Sequence, residues 1–425
     1  MNKISVPSES KEEFLRKKVR SKKRLVLLST YYENIGDDLI RYGILYLLAK
    51  SGFPPSSVGY IAKANPLSVY FPKTPLSHGP WYRMPKRLQY HLACLNNFLS
   101  RSSFARRQNK VLNSFGMVVA GTPLFHLDRK ISFLGIDQWI PNIFEKCLIS
   151  NPDLRFFSLG LGSVIDFDPS DIWKLYPAEA KFIKRYVERS VLITTRDETT
   201  YKLLQAAAPD PTKKKIIRSI CPSVFGYRQL GINREPSCID ENKVCISFTL
   251  ESSSWNANPE EAKRKRSEIV ESIVTMLMEK KITVQLISHN KLDLPLQQKL
   301  ADKFKLPRPL KATTATMLKE FATSRLVVTW RVHGALGALS LGVPAVLFKT
   351  DNRASMAEEL GADVIQEPLP TEKVILEQIS AAYAEAPERS QNLLNHIDPI
   401  RNNHEKLLLE RIKRELSNLQ SKNYD

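Results

Sequence analysis

The feature that most constrains this chain is a recurring unit in which a short apolar segment runs into a polar or glycine-containing loop and then into a helical pattern. It occurs at "RLVLLS" (24–29), "MVVAG" (117–121), "RFFSLGLG" (155–162) and "SVLITT" (190–195). It returns at "VCISFTL" (244–250), "ITVQLIS" (282–288), "RLVVTW" (325–330) and "AVLF" (345–348). Near-continuous apolar strands, as opposed to alternating ones, are those buried on both faces, which is the condition of a parallel sheet covered by helices. The fold class is therefore α/β. Helical patterns fall near 260–281, 314–323 and 333–341, interleaved with the later strands.

At 425 residues the chain exceeds the roughly 250–300 at which a single core usually divides. A stretch rich in Pro, Lys, Ser and Gly over 206–242 separates the two sets of units. The expected organisation is a basic extension (1–23), one α/β domain (24–225), a second (240–372) and a helical segment (373–425). In that segment "EKLLLERIKRELSNLQ" spaces leucines at i, i+3 and i+4, so it packs against the domains.

Composition excludes several classes. With 43% hydrophobic and 25% charged residues the chain has the balance of a globular protein. The longest apolar run, 334–348, is too short to span a bilayer and is broken by Gly342 and Pro344. The N-terminus has no apolar core of a secretory signal, so the expected location is cytoplasmic, with peripheral membrane contact allowed by charge. Five cysteines, Cys94, Cys147, Cys221, Cys238 and Cys245, form no CxxC pair and suggest neither a disulfide framework nor a cysteine zinc site.

Net charge is +19, and residues 39–127 contain no Asp or Glu against eleven Lys and Arg, among them Arg101, Arg106 and Arg107. Such a segment suits an acidic partner, whether an anionic polymer, a diphosphate-linked acceptor, an anionic lipid surface or nucleic acid, between which charge alone does not choose; the alternative is a solvated basic surface. No nucleic-acid-binding motif accompanies the charge, so no specific nucleic acid is expected.

In "TWRVHGALGALSLGVPAVLF" (329–348), Arg331 and His333 stand where a strand ends and a helix begins. Ligands of open α/β sheets bind at that end, and the helix start offers free N–H groups to an anion. Arginine recognises carboxylate or phosphate in bidentate fashion, and histidine titrates near neutrality. The alternative is structural: His333 caps the helix and Arg331 pairs with a buried carboxylate.

This segment resembles the hallmark of the polysaccharide pyruvyl transferase family, roughly Ser-x-Arg-x-His followed by small residues and Gly-Val-Pro. Here it stands as Thr329, Arg331, His333, Gly334, Ala335 and then Gly342, Val343 and Pro344. Other pieces follow in family order. "ENIGDDLI" matches the first-loop motif through Asn34, Gly36 and Asp37, with Glu33 in place of a glycine; Asp37 alone would also serve as a helix cap. "VVAGTPLF" keeps only Gly121 of the family's run of glycines, and "SLGLGS" carries Gly160 and Gly162, residues that turns alone would also explain. "TTRDETTYKLL" carries the Arg-Asp pair as Arg196 and Asp197, which a local bridge and a helix start would equally use. "LISHN" places His289 after a strand, and Cys221 replaces the usual Asp before Pro222.

The resemblance spans roughly residues 24–350. It implies two Rossmann-like domains facing a cleft, of the glycosyltransferase-B type, braced by the C-terminal helix. It further implies phosphoenolpyruvate as donor substrate, a glycan or lipid-linked sugar as acceptor, and neither a further cofactor nor a metal. Donor binding would fall to Arg196, Arg331, His333, Gly334 and His289, with His333 as acid and Arg331 and Arg196 on the anionic groups. Asn34, Gly36, Asp37, Gly121, Gly160, Gly162, Asp197, Arg101, Arg106 and Arg107 would serve the loops and the acceptor. Competing readings are a nucleotide-sugar glycosyltransferase of the same architecture and a non-catalytic relative that binds an anionic glycan.

Overall fold

A computed structural model describes residues 24–29, 34–62, 114–121, 123–127, 154–165, 167–249, 259–289, 293–366 and 368–421. The basic extension over 1–23 lies outside the described residues, as do Arg101, Arg106 and Arg107.

Two parallel sheets make up the architecture. The first comprises β1 (Arg24–Ser29), β2 (Val58–Ala62), β3 (Ser114–Ala120), β4 (Pro123–Leu127), β5 (Arg155–Ile165), β6 (Ser190–Thr195) and β7 (Ile216–Arg218). Its order is β2-β1-β3-β5-β6-β7, with β4 beside the far half of β5. The second comprises β8 (Asp240–Ser247), β9 (Thr283–Ser288), β10 (Leu310–Lys311), β11 (Ser324–Thr329), β12 (Ala345–Phe348) and β13 (Asp363–Ile365), ordered β10-β9-β8-β11-β12-β13. That is the doubly wound 3-2-1-4-5-6 arrangement, whose strand order reverses between β8 and β11. Arg331 and His333 follow the strand on one side of this switch point.

Three cores explain the continuous apolar strands. Leu25 and Leu27 face a core between the sheets, shared with α1 (Ile35–Lys50) and with α7 (Val332–Ser340), and Leu28 points the other way. That outer core holds Met117, Val119 and Phe156 against α2 (Pro177–Arg189) and α3 (Glu198–Ala207). In the second sheet Val327 faces inward, while Leu326 and Val328 meet α4 (Pro259–Glu279) outside. Two further helices, α5 (Leu294–Phe304) and α6 (Thr314–Ala322), complete crossovers of the second sheet. Each fully buried Leu, Ile or Val contributes about 1.5–3 kcal/mol. Because α1 and α7 both enter the central core, the two sheets meet across an apolar contact and not a solvated linker.

Helix α8 (Glu372–Ser421) braces this arrangement. Its early turns place Ile375 and Ile379 on the outer core of the second sheet, and Leu393, Ile397, Leu408 and Ile412 join the central core. Pro387 and Pro399 lie inside it, each removing one backbone donor, so the helix can bend as it passes from one domain to the other. Arg401 donates to the carbonyl of Ser340 at the end of α7 (3.0 Å), and Glu405 accepts from Tyr46 of α1 (2.7 Å).

Some expectations need correction. The stretch 206–242 is not merely a connection: β7 forms within it and closes the edge of the first sheet. Arg41, one of the eleven cations read as unopposed, is 3% exposed and bonds Asp38 at 2.6 Å, three residues earlier and just outside the acid-free window. Of the other ten, only Lys50 lies among the described residues, exposed at the end of α1.

Candidate functional site

The carboxyl ends of the two sheets converge on a cavity of about 180 Å³. Its walls include Asn34 and Gly36 from the start of α1, Thr249 after β8, His289 after β9, and Trp330 to His333 after β11. Thr350, Asp351 and Arg353, beyond β12, complete them. Two helix starts, α1 and α7, thus abut the same space, each with first-turn N–H groups that the helix itself cannot satisfy.

Arg331 occupies the cap position of α7, its backbone N–H held by Thr329 Oγ1 at 2.9 Å. Its guanidinium bonds the buried carboxylate of Asp293 (Nη2 to Oδ2, 2.8 Å), while Nε has no partner. Arg331 therefore has the structural carboxylate that elementary physics demands, and the residue lines the cavity as well. Trp330 lies flat on Phe348, with centroids 3.8 Å apart, and fixes the turn between strand and helix.

His333 is the second residue of α7 and 8% exposed. Arg196 Nη1 lies 3.3 Å from its Nε2. A guanidinium can only donate, so Nε2 accepts and the ring proton is assigned to Nδ1, on the side of Gly36. A Cβ at Gly36 would sit 2.5 Å from that nitrogen, which explains why the first loop carries glycine there. Burial, followed by the charges of Arg196 and Arg353, holds His333 well below the usual histidine range. His289 behaves alike: burial, with Arg331 nearby, pushes it down to about 3, and its Nε2 has no partner. Both rings are neutral at physiological pH, amid three arginines.

Arg196 itself does not line the cavity. It is fully buried behind His333, with Nη1 also donating to Gly121 O (2.9 Å) and with Nε and Nη2 unpartnered. A Cβ at Gly162 would come within 2.6 Å of Nη2, so Gly162 is glycine to admit the guanidinium. Gly121 is needed for contact with the Gly160 carbonyl on the neighbouring strand, and not for approach to the cavity. Gly160 has φ +70 and lies against the Pro222 ring. Gly334 packs under His289, where a Cβ would meet its Cε1 at 3.1 Å.

Asp197 caps α3, accepting from Thr200 N (2.7 Å) and Oγ1 (2.6 Å), and burial pushes its carboxyl up despite these bonds. Asn34 caps α1 by accepting from Gly36 N at 2.9 Å, and Asp37 lies in the first turn, so Asp37 is not the cap. Cys221 is buried in the central core, where its Sγ accepts from Ser223 Oγ at 3.2 Å, and it makes no capping bond.

Two charged residues of the wall, Arg353 and Asp351, and a third charged residue behind it escaped sequence reasoning. Arg353 is clamped by Asp351 in a two-pronged pair (Nε to Oδ1 2.8 Å, Nη2 to Oδ2 2.5 Å). Burial opposes both charges, yet the pairing raises Arg353 and holds Asp351 below the usual carboxylate range. Asp293, the partner of Arg331, is the third. The domains are tied around the cavity by Ile35 N to His289 O (3.3 Å), Asn352 Nδ2 to Ser163 O (3.3 Å), and Arg218 Nη2 on both oxygens of Glu359 (2.8 and 2.7 Å). Among the described residues no group of three His, Cys, Asp or Glu side chains converges as a metal site, and no helix is long and apolar enough to cross a membrane.

The family model for polysaccharide pyruvyl transferases matches residues 34–352, from the cap of α1 to the loop that holds Arg353. The chain belongs to the polysaccharide pyruvyl transferase family. No curated protein matches the sequence. Among solved structures, a UDP-N-acetylglucosamine 2-epimerase is similar with 14% identity and a TM-score of 0.52, covering 95% of this chain and 96% of that one. The UDP-GlcNAc 2-epimerase of Neisseria meningitidis, bound to UDP-GlcNAc, is similar with 13% identity and a TM-score of 0.50, covering 92% and 100%. At that identity the likeness concerns the fold alone: this polysaccharide pyruvyl transferase family member has the two-domain architecture of the glycosyltransferase-B type. Arg331, His333 and the capped start of α1 all fall inside the matched segment of the pyruvyl transferase model.

Proposed function

We propose that the chain transfers the pyruvyl group of phosphoenolpyruvate to two hydroxyls of a sugar in a glycan or lipid-linked glycan, forming a cyclic ketal. The enol methylene carbon gains a proton, the central carbon forms two C–O bonds to the sugar, and its C–O bond to phosphate breaks. Of the two hydroxyl protons, one is accounted for by the new methyl group and one by the departing phosphate.

The observation that carries this reading is a cavity of about 180 Å³ walled by Arg331, Arg353 and two neutral histidines. At ~30 Å³ per water it holds the equivalent of about six waters, room for a small, highly charged anion. Arg331 and Arg353 bind the carboxylate and phosphate and stabilise charge on the departing phosphate. His333 delivers the proton, and Arg196 positions the neutral ring by donating to Nε2, a bond given up when the ring takes on its proton.

Calorimetric titration of the full chain with phosphoenolpyruvate, and separately with UDP-glucose and UDP-N-acetylglucosamine, tests the proposal. Selective binding of phosphoenolpyruvate, lost in Arg331→Ala and retained in His333→Gln, is the expected result. Binding of a nucleotide sugar alone would transfer the chain to the glycosyltransferase reading, and no binding of any donor would favour a non-catalytic relative.

A further inference from the structure

A second concave site lies at the other end of the first sheet. A groove of about 750 Å³ runs between the starts of β5 and β6 and the last turns of α8; among the described residues it is lined by Arg155, Arg189, Lys214, Lys215, Arg411 and Arg414 against two carboxylates, Glu188 and Glu415. Glu415 is engaged by Arg414 (2.9 Å), and Lys215 donates to the Glu188 carbonyl (3.0 Å). Arg155, Arg189, Lys214 and Arg411 form no ion pair among the described residues. Burial and the neighbouring Arg155 charge push the Lys215 ammonium down, so the cations of the groove crowd one another. Arg189 sits in the last turn of α2, where the helix dipole accounts for it. No helix end accounts for Arg155 at the head of β5.

We propose that this groove is a second anion-binding site, distinct from the cavity, for a ligand carrying several phosphate or carboxylate groups. Its volume is that of a small-molecule or oligosaccharide site. Concavity suits a ligand that enters between α8 and the sheet, whereas a lipid surface can only cover the rim. The length of β6, Ser190–Thr195, separates the groove from Arg196, about 20 Å of strand. A ligand there does not reach the cavity, but it clamps the end of α8, whose early turns pack on the second sheet, to the first.

Tripolyphosphate, an oligogalacturonate and phosphatidylglycerol vesicles would each be titrated against the full chain at fixed ionic strength. Saturable binding of tripolyphosphate or oligogalacturonate, weakened at least tenfold in Arg411→Ala/Arg414→Ala and separately in Arg155→Gln, is expected; the probe that binds identifies phosphate or carboxylate as the partner chemistry. Affinity for phosphoenolpyruvate should be unchanged in these variants, which also reports that they are folded. The control Arg264→Ala/Lys265→Ala, on exposed cations of α4, should retain probe binding. Absence of saturable binding, an equal loss in the control, or binding to vesicles alone would overturn the proposal.

Discussion

His333 is neutral among the surrounding arginines, so its proposed role as an acid requires that the donor bring a proton onto the ring. A sphere of 180 Å³ has a radius of about 3.5 Å, so an anionic group inside it lies within roughly 4–7 Å of the imidazole that lines it. At about 5 Å and an effective dielectric constant of ~20, one negative charge favours the imidazolium by about 3 kcal/mol, or roughly two pKa units. Phosphoenolpyruvate carries two to three such charges, each of which raises the depressed His333 toward the ordinary histidine range. Binding should therefore draw protons from solution near pH 7, approaching about one per donor as the pH falls. Titrations in buffers of different ionisation enthalpy measure this directly, and subtracting His333→Gln removes the donor's own titration. If wild type and variant show the same proton uptake, His333 stays neutral with donor bound and the acid is another group.

Gly162→Ala should displace the Arg196 guanidinium and cost about 1–3 kcal/mol of stability, read as a lower urea midpoint. Gly36→Ala, pressed against His333 Nδ1, should lower turnover more than stability, a contrast that parallel unfolding and kinetic assays would reveal. Arg218→Ala removes the two-pronged bond to Glu359; both groups are partly exposed, so stability should fall by only about 1 kcal/mol while KM for the donor rises as the domains loosen. His289 is depressed from 6.5 to about 3 on folding, so its stabilising contribution is complete above about pH 6.5 and lost as pH falls toward 3. Acid unfolding should steepen across that window by up to ~1.4 kcal/mol per pH unit, and His289→Asn should flatten it.

The fold and the heart of the site were legible for a common reason: both are built from contiguous sequence. β11 and α7 form one uninterrupted apolar stretch with Arg331 and His333 at its hinge, so pattern alone placed them at a strand end. Contacts between distant segments left no such trace. Nothing in "SLGLGS" says that Gly162 makes room for Arg196, which arrives 34 positions later on the adjacent strand. Arg353 and Asp351 lie in a loop after a four-residue strand, where no periodicity marks them, and only the closing of the second sheet turns them toward the cavity. Asp293 likewise follows β9 without a motif and becomes meaningful through Arg331. Short edge strands such as β10, two residues long, and β7, three residues long, carry too few side chains to announce themselves. The pairing of Arg41 with Asp38 was missed because charge was counted within a window whose boundary fell between them.

The most direct test is transfer itself. The full chain would be incubated with phosphoenolpyruvate labelled at all three carbons and a pool of lipid-linked and free oligosaccharides, and the glycans examined by mass spectrometry alongside released phosphate. Label should appear on a glycan as an intact three-carbon unit with one phosphate released per unit, and both signals should vanish in Arg331→Ala and His333→Gln. Glycans that acquire no label from phosphoenolpyruvate but are extended from a nucleotide sugar in the same pool would contradict pyruvyl transfer.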